Sequence, residues 1–398
     1  MNQRKKKIGL LPRIIVAMAA GIGAGLVFPV WAARIFVTFN GLFSQFLSFV
    51  IPLLIVGYVA SAISDIGRRA GRMLIMTVAL AYGATFCAGM FSYGVSSWLF
   101  PSMIEPMNYI ADSAAATDPQ PFFTIELQPL MSVMTALVLA FVLGLCVPHV
   151  SPDGVLRKGV AEFASLIDMV IRGVVIPLLP LYIFGIFMGM TINGQVASVL
   201  ITFVKIIAVI FVMHIVLLVA QYCVASLFAR NNPFKALWTM IPAYFTALGT
   251  QSSAATIPVT VQQVQKLGVD RDVAGFVIPL GATIHMSGST LKIVACAMAL
   301  MLALGHTYSL SMFAGFIAML GISIVAAPGV PGGAIMASLG LLSSILGFSD
   351  ADNALMIALY IAMDSFGTAC NVTGDGALAQ IVNFFFGARR AKYAENAA

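Results

Sequence analysis

Charged residues are scarce in this sequence. They make up 9% of its 398 residues, whereas hydrophobic residues make up 60%, and a soluble domain carries about 25% charged residues. The mean hydropathy is +1.00. This composition excludes a soluble globular domain and predicts an all-α polytopic membrane protein whose helices fit in one membrane domain.

Motifs of several enzyme classes are also missing. The sequence has no nucleotide-binding loop, zinc motif or nucleophile elbow. Its five cysteines lie in apolar runs without metal-ligand spacing, so we interpret them as packing residues. The net charge of +6 comes from short basic clusters between apolar runs, which predicts no nucleic-acid partner. We therefore predict that the protein is not an enzyme.

Eight apolar segments are long enough to cross a bilayer, which takes about 20 residues. They lie at 10–36, 39–66, 73–100, 129–150, 163–191, 199–228, 273–304 and 354–386. The basic clusters between them alternate with charge-poor or acidic loops, and the acidic segment 101–127 reads as external. This pattern predicts an inner-membrane protein with cytoplasmic N- and C-termini, an uncleaved first span, and Arg34 on the external side.

Two other apolar segments, 233–267 and 310–348, are each interrupted by a polar or Gly/Pro-rich tip. Each segment is long enough for two half-helices. The basic loops alternate between the two sides of the membrane only if each segment enters and leaves the membrane on the same side. We predict two re-entrant hairpins, each followed by a long helix, at 273–304 and 354–386. This arrangement is an inverted repeat of the kind that forms transporter sites, although ordinary kinked spans are the alternative.

The last apolar segment carries the most informative polar residues. Asp364, Thr368, Asn371 and Asp375 have the spacing i, i+4, i+7 and i+11, which places them on one face of a helix. Each carboxylate at the centre of a membrane helix costs about 2.5–3.5 kcal/mol on the insertion scale. The pair therefore needs a cation, a charged substrate or a proton as partner. On a straight helix they are about 16 Å apart, too far for a catalytic pair.

Four motifs together identify a family. They are Gln-Ser-Ser-Ala-Ala-Thr-Ile-Pro at 251–258, Pro-Leu-Gly-Ala-Thr-Ile-His-Met-Ser-Gly-Ser at 279–289, Gly-Val-Pro-Gly-Gly at 329–333 and Asn-Val-Thr-Gly-Asp at 371–375. In this order they resemble the glutamate transporter homologues, the dicarboxylate/amino acid:cation symporters. The resemblance implies a homotrimer with an elevator mechanism. It also implies three parts of the chain: a scaffold, mostly in 1–232, a transport domain in 233–387 and a cytoplasmic tail in 388–398. The third and sixth spans lie within 1–232 but contribute to the transport domain.

The resemblance also implies the substrate site. Asp364 corresponds to the residue that binds the substrate ammonium group, and Asn371 and Ser253 to those that bind its α-carboxylate. The remaining matching positions are Ser289, Thr368, Gly367 and, as the gate, Gly329 and Val330. Members with acidic substrates have an arginine at the position of Gly367, and the archaeal member has another at Gln251. The absence of both cations predicts a neutral amino acid substrate, as in the neutral-exchanger and serine/threonine branches.

The family's sodium sites are only partly matched. Gly281, His285, Asn371 and Asp375 correspond to one site by position, and Thr283 and Met286 to a second. A third site needs a carboxylate where this sequence has Ser287, with further ligands expected near Tyr82 and Thr85. We therefore predict sodium as the coupling ion, with reduced or altered stoichiometry, and no cofactor.

Two basic residues follow in the segment 273–304. His285 and Lys292 are seven residues apart and would share a face of a continuous helix. His285 either carries a coupled proton or only packs as a neutral ring. Lys292 either serves as a fixed cation beside Asp364 or Asp375, or extends to the membrane boundary.

The sequence as a whole predicts a secondary active transporter of a neutral amino acid that is coupled to sodium. Its partners would be the amino acid, the lipid bilayer and two further copies of the chain. A proton-coupled transporter or an obligate neutral amino acid exchanger is the alternative within the same class. An anion-conducting channel is the alternative from another class, but a dedicated channel has no need for an ammonium-binding Asp364.

Overall fold

The fold is entirely helical where it is described. A computed structural model describes residues 10–67, 72–104, 119–150, 154–194, 196–324 and 332–387, and no strand occurs in these ranges. Five helices in them are long and apolar enough to cross a membrane, or six if the bent pair Asp350–Ala362 and Asp364–Phe386 is one span. The prediction of an all-helical polytopic membrane protein is confirmed in this form.

Seven α-helices lie in the described part of the N-terminal half. They are α1 (Leu10–Val27), α2 (Val30–Gly67), α3 (Arg72–Met103), α4 (Val133–Val150), α5 (Val155–Val170), α6 (Ile176–Ile192) and α7 (Val196–Ala229). A π-helical turn, Ile171–Val175, joins α5 to α6. The predicted break between 36 and 39 is wrong. The chain breaks at Phe28 and Pro29, because proline lacks the N–H that a helix interior needs and restricts the residue before it.

Arg34 joins α2 to the segment that precedes α4. Its Nε donates to the Gln120 carbonyl oxygen at 2.9 Å, and its guanidinium lies 4.3 Å from the centroid of the Phe122 ring. Arg34 thus ties the end of the acidic segment to α2. Farther along, Arg172 and Asp168 form an ion pair between Nε and Oδ2 at 2.6 Å.

The described part of the C-terminal half forms nine helices. They are α8 (Pro233–Thr239), α9 (Ile241–Thr250), α10 (Ser253–Lys266), α11 (Arg271–Ile284), α12 (Ser287–Ala303), α13 (Leu310–Ser323), α14 (Gly333–Leu346), α15 (Asp350–Ala362) and α16 (Asp364–Phe386). The segment 233–267 contains α8 to α10, and Gln251 after α9 has a φ of 53°. The segment 310–348 contains α13 and α14, which pack together, and its tip at 325–331 lies outside the described residues.

The two long segments predicted at 273–304 and 354–386 are each interrupted, although Arg271–Ala303 still counts as one of the five helices able to cross a membrane. His285 and Met286 leave helical geometry between α11 and α12. The chain bends by 62° at Met363 between α15 and α16. Since Lys292 lies beyond the first break, His285 and Lys292 do not share a face of one helix.

Helices α12 and α16 lie at the centre of the molecule. Nearly every residue of α12 is buried, and it packs against α3, α7, α15 and α16. Helix α16 packs against α7, α9, α10, α11 and α12, and its first 19 residues are buried except Phe366. Polar residues on these two helices are therefore placed inside protein rather than against lipid.

Candidate functional site

The polar stripe of α16 faces α11 and α12. Asp364, Thr368, Asn371 and Asp375 are 6%, 9%, 3% and 1% exposed. The Thr368 hydroxyl donates to the backbone oxygen of Asp364 at 3.0 Å. The other three side chains each bond to a different part of α12 or of the break before it. These contacts define three neighbouring centres along α16.

The first centre joins Asp364 to Lys292. Lys292 Nζ lies 3.4 Å from Asp364 Oδ1, and the N–H of Gly332 donates to Asp364 Oδ2 at 2.7 Å. Lys292 Nζ also donates to the carbonyl oxygens of Tyr360 and Met363, at 3.4 and 3.3 Å, and lies 3.3 Å from the Tyr360 ring centroid. Lys292 is 0% exposed. The alternative in which Lys292 extends to the membrane boundary is therefore wrong.

The second centre surrounds Asn371. Its Oδ1 accepts from the N–H groups of Gly288 and Ser289, at 2.8 and 3.2 Å. Its Nδ2 donates to Ser289 Oγ at 3.0 Å and to Met286 Sδ at 3.4 Å. The first N–H groups of a helix have no partner within it. Asn371 supplies this partner for α12 from another helix, which explains how the break is stabilised.

The third centre joins Asp375 to His285. His285 Nδ1 lies 2.9 Å from Asp375 Oδ1, and both side chains are 1% exposed. A Cβ added to Gly281 would lie 2.7 Å from the same carboxylate oxygen. Glycine is thus required for α11 to approach α16 this closely. The arrangement brings together three of the residues predicted for the first sodium site.

A cavity of about 360 Å³ adjoins the third centre, between α3, α7 and α16. Its lining is mostly apolar, with His285 and Gln221 as polar members. His285 Nε2 and Gln221 Oε1 are buried and lack a hydrogen-bond partner within the described ranges. A buried polar atom left unpaired costs about 1–3 kcal/mol. The ring of His285 thus has a nitrogen at which it can bind a proton or a water molecule.

Several predicted site residues stand apart from these centres. Ser253 begins α10, which packs against α16, and is partly buried. Thr283 is exposed, and its hydroxyl donates to the Leu280 carbonyl oxygen at 2.7 Å. Gly329 and Val330, the predicted gate, lie outside the described residues. Of the expected third-helix ligands, Thr85 Oγ1 accepts from Met286 N–H at 3.3 Å, whereas the Tyr82 hydroxyl donates to α13.

A cation lies beside Gly367, although Gly367 itself has no side chain. A Cβ added to Gly367 would lie 3.0 Å from Lys292 Nζ and 3.6 Å from Ser289 Oγ. Lys292 reaches this place from α12, whereas the arginine of the acidic-substrate members would reach it from α16 itself. The missing arginine therefore does not by itself exclude an acidic substrate.

Sequence reasoning missed three residues of the site. Tyr360 lies under Lys292, and its hydroxyl donates to Ser289 Oγ at 3.3 Å. His214 Nε2 lies 3.0 Å from the Gly288 carbonyl oxygen, and Gln221 Nε2 donates to Ser287 Oγ at 3.1 Å. His214 and Gln221 are seven residues apart in an apolar helix, a spacing that places them on one face and was readable from the sequence.

We expect Gly288→Ala to destabilise the protein by about 1–3 kcal/mol, because overpacking a filled core has this cost. The new Cβ would lie 2.6 Å from Cys370 Cβ and 2.8 Å from the Gly367 carbonyl oxygen. Thermal unfolding of the purified protein measures the effect. Gly315→Ala in α13 is the matched control, because nothing lies within 4 Å of its added Cβ. Equal melting temperatures for the two variants would contradict the packing described for α12 and α16.

Comparisons with known proteins identify the family of the chain. A sequence model of the sodium:dicarboxylate symporter family matches residues 10–385. Three similar proteins are each named serine/threonine transporter SstT. The one from Streptococcus suis is 28% identical over 83% of this chain and 94% of its own length. The one from Acinetobacter baumannii is 27% identical over 93% of this chain and 95% of its own length. The one from Bifidobacterium adolescentis is 28% identical over 92% of this chain and 87% of its own length. The chain therefore belongs to the sodium:dicarboxylate symporter family, and it is an integral membrane transporter of small molecules rather than an enzyme.

Proposed function

We propose that this protein is a secondary active transporter of a neutral amino acid, coupled to sodium. The observation that carries the proposal is the buried carboxylate of Asp364, which in the structure contacts an ammonium group, that of Lys292, at 3.4 Å. A carboxylate in this position suits the ammonium group of an amino acid. The similar proteins named serine/threonine transporters support a neutral substrate.

In this proposal different residues on and around α16 bind different parts of the substrate. Asp364 binds the ammonium group, while Asn371 and Ser253 receive the α-carboxylate. The wall of the site is formed by Gly367, Thr368 and Ser289, and Gly329 and Val330 act as the gate. Gly367 has no side chain, but Lys292 Nζ lies 3.0 Å from the position of its Cβ, so a substrate side chain would contact Lys292 there.

Sodium would bind near Asp375, with oxygen ligands from Gly281 and Asn371, and near Thr283 and Met286. His285 already bonds to one oxygen of Asp375, and Ser287 provides no carboxylate for a third site. Both features support a reduced number of sodium ions per amino acid. Transport coupled to a proton through His285, or obligate exchange, is the alternative.

We also propose the family's architecture for this chain. A homotrimer would be held by a scaffold drawn from 1–232, and the transport domain, 233–387, would carry the substrate like an elevator. It would have eight membrane-spanning helices, two re-entrant hairpins and cytoplasmic termini in the inner membrane. The burial of the polar centres on α12 and α16, away from lipid, supports a mobile unit with a closed interior.

A second substrate class is favoured by one specific contact. Lys292 Nζ lies 3.0 Å from the position of a Cβ at Gly367. An acidic amino acid could place its side-chain carboxylate against this ammonium group. Glutamate and aspartate are therefore the second candidate substrates.

Uptake into proteoliposomes tests the proposal. We expect accumulation of radiolabelled L-serine or L-alanine when a sodium gradient is imposed, and loss of accumulation when an ionophore dissipates that gradient. Protein-free liposomes are the control. Uptake of glutamate without uptake of serine or alanine would transfer the assignment to the acidic class, and uptake driven by a pH gradient alone would make the proton the coupling ion.

A further inference from the structure

Lys292 is a buried cation with one carboxylate partner among the described residues. The titratable groups that interact with it are Asp364 and Cys370 of α16, Cys296 of α12, Tyr360 of α15 and His214 of α7. Asp364 is the carboxylate of this set. The other acceptors of Lys292 are the neutral carbonyl oxygens of α15 and the adjoining bend.

Asp364 has both of its oxygens engaged in the structure. Oδ2 accepts from Gly332, the residue before α14, at 2.7 Å, and Oδ1 is 3.4 Å from Lys292 Nζ. An amino acid that binds through its ammonium group must displace one of these partners. The contact with Lys292 is the longer of the two. It places the ammonium group of Lys292 where the ammonium group of the amino acid would bind.

Two ammonium groups would then compete for Asp364 in a buried site, because the proposed function places the α-carboxylate of the substrate at Asn371 and Ser253. Removing one partner of a buried ion pair is strongly unfavourable, because it leaves an uncompensated charge. A neutral amine avoids this cost and still donates hydrogen bonds to the carbonyl oxygens of Tyr360 and Met363. Lysine can lose its proton in this way, whereas arginine remains charged.

We propose that the ammonium group of the amino acid displaces Lys292 from Asp364 and that Lys292 then releases its proton to water. This inference rests on the proposed function. The step is balanced: the ion pair of Lys292 and Asp364 plus the ammonium form of the amino acid gives the amino acid bound to Asp364, neutral Lys292 and one aqueous proton. No bond other than the N–H bond of Lys292 is broken.

The direction of proton movement follows from this exchange. Binding on the outer side releases a proton there, and Lys292 takes up a proton on the inner side when the amino acid leaves. Each amino acid carried inward is therefore accompanied by one proton carried outward. This is proton antiport, opposite in sign to the proton symport that His285 would support.

Calorimetry with the purified full-length protein tests the binding step. Titrations of L-alanine in buffers with different ionisation enthalpies measure the protons released. We expect about one proton per amino acid bound, and by linkage an affinity that rises up to about tenfold per pH unit while Lys292 is protonated before binding. L-Lactate, which has a hydroxyl in place of the ammonium group, should release no proton.

Two variants of Lys292 sharpen this test. Lys292→Arg keeps a cation that does not lose its proton, so we expect at least about a 30-fold loss of L-alanine affinity that alkaline pH does not restore. Lys292→Met should bind L-alanine without proton release. Lys205→Met is the control, because Lys205 also donates to a backbone carbonyl oxygen, that of Met103, but lies outside the site.

A pH-sensitive dye inside proteoliposomes tests the transport step. Inward L-alanine transport should make the interior more alkaline. Transport with no proton released, or with an acidified interior, would overturn the inference and leave the proposed function intact. If no neutral amino acid is bound or transported, the proposed function itself fails. The measurements on the unmodified protein decide between these outcomes even if a Lys292 variant does not fold.

Discussion

Asp364→Asn is expected to lower the affinity for the transported amino acid by about 100-fold or more. Truncating one partner of a buried, hydrogen-bonded charge pair costs about 2–5 kcal/mol, and 2.7 kcal/mol corresponds to a factor of about 100. In this variant the ammonium group would lose its carboxylate partner. Binding of radiolabelled L-alanine to the purified protein measures the effect.

The same substitution would also leave Lys292 buried beside a neutral amide. The variant could then lose binding because it unfolds rather than because the ammonium site is gone. The double variant Asp364→Asn with Lys292→Met removes both charges and should recover most of the stability while remaining unable to bind. If the double variant binds L-alanine as well as the unmodified protein does, Asp364 is not the ammonium site.

Asn371→Ala is expected to destabilise the fold by about 2–6 kcal/mol. Its Oδ1 accepts from two buried N–H groups, those of Gly288 and Ser289. Each buried donor left without a partner costs about 1–3 kcal/mol. Loss of the side chain would therefore release the start of α12 and with it the break that places His285. Thermal unfolding and hydrogen exchange at α12 measure this effect.

Asn353→Ala is the matched control for this substitution. Asn353 is also buried, at 8% exposure, but its Nδ2 donates to a single side chain, Ser343 Oγ, at 2.8 Å. We expect a loss of about 1 kcal/mol for this bond. If both variants melt at the same temperature, the contacts of Asn371 do not hold the break between α11 and α12.

Much of the helical framework was predictable because it depends on local features of the sequence, namely composition, apolar runs and the spacing of polar residues. The low charge content and long apolar runs predicted a helical membrane protein. The spacing of Asp364, Asn371 and Asp375 predicted that they share one face of a helix, and α16 turns them toward α11 and α12. The polar tip near Gln251 predicted a chain reversal, and this residue has left-handed geometry between α9 and α10.

The breaks at His285 and Met363 could not be read in the same way. Polar residues lie at both positions, Ser287 after the first break and Asp364 after the second, but they do not by themselves show that a helix ends there. The partners that stabilise the first break come from α16, which is distant in the sequence. The position of Lys292 beside Gly367 likewise depends on the packing of α12 against α16 and not on any spacing along the chain.

The convergence of helix ends at this site sets up an oriented electric field. Helix N-termini carry partial positive charge. The N-terminus of α14 faces the negative charge of Asp364, whereas that of α12 is capped by the neutral side chain of Asn371. A zwitterion entering this field would be turned with its cationic end toward Asp364 and its anionic end toward α12. The polarity of the backbone would thus select one orientation of the ligand before any side chain of the ligand is recognised.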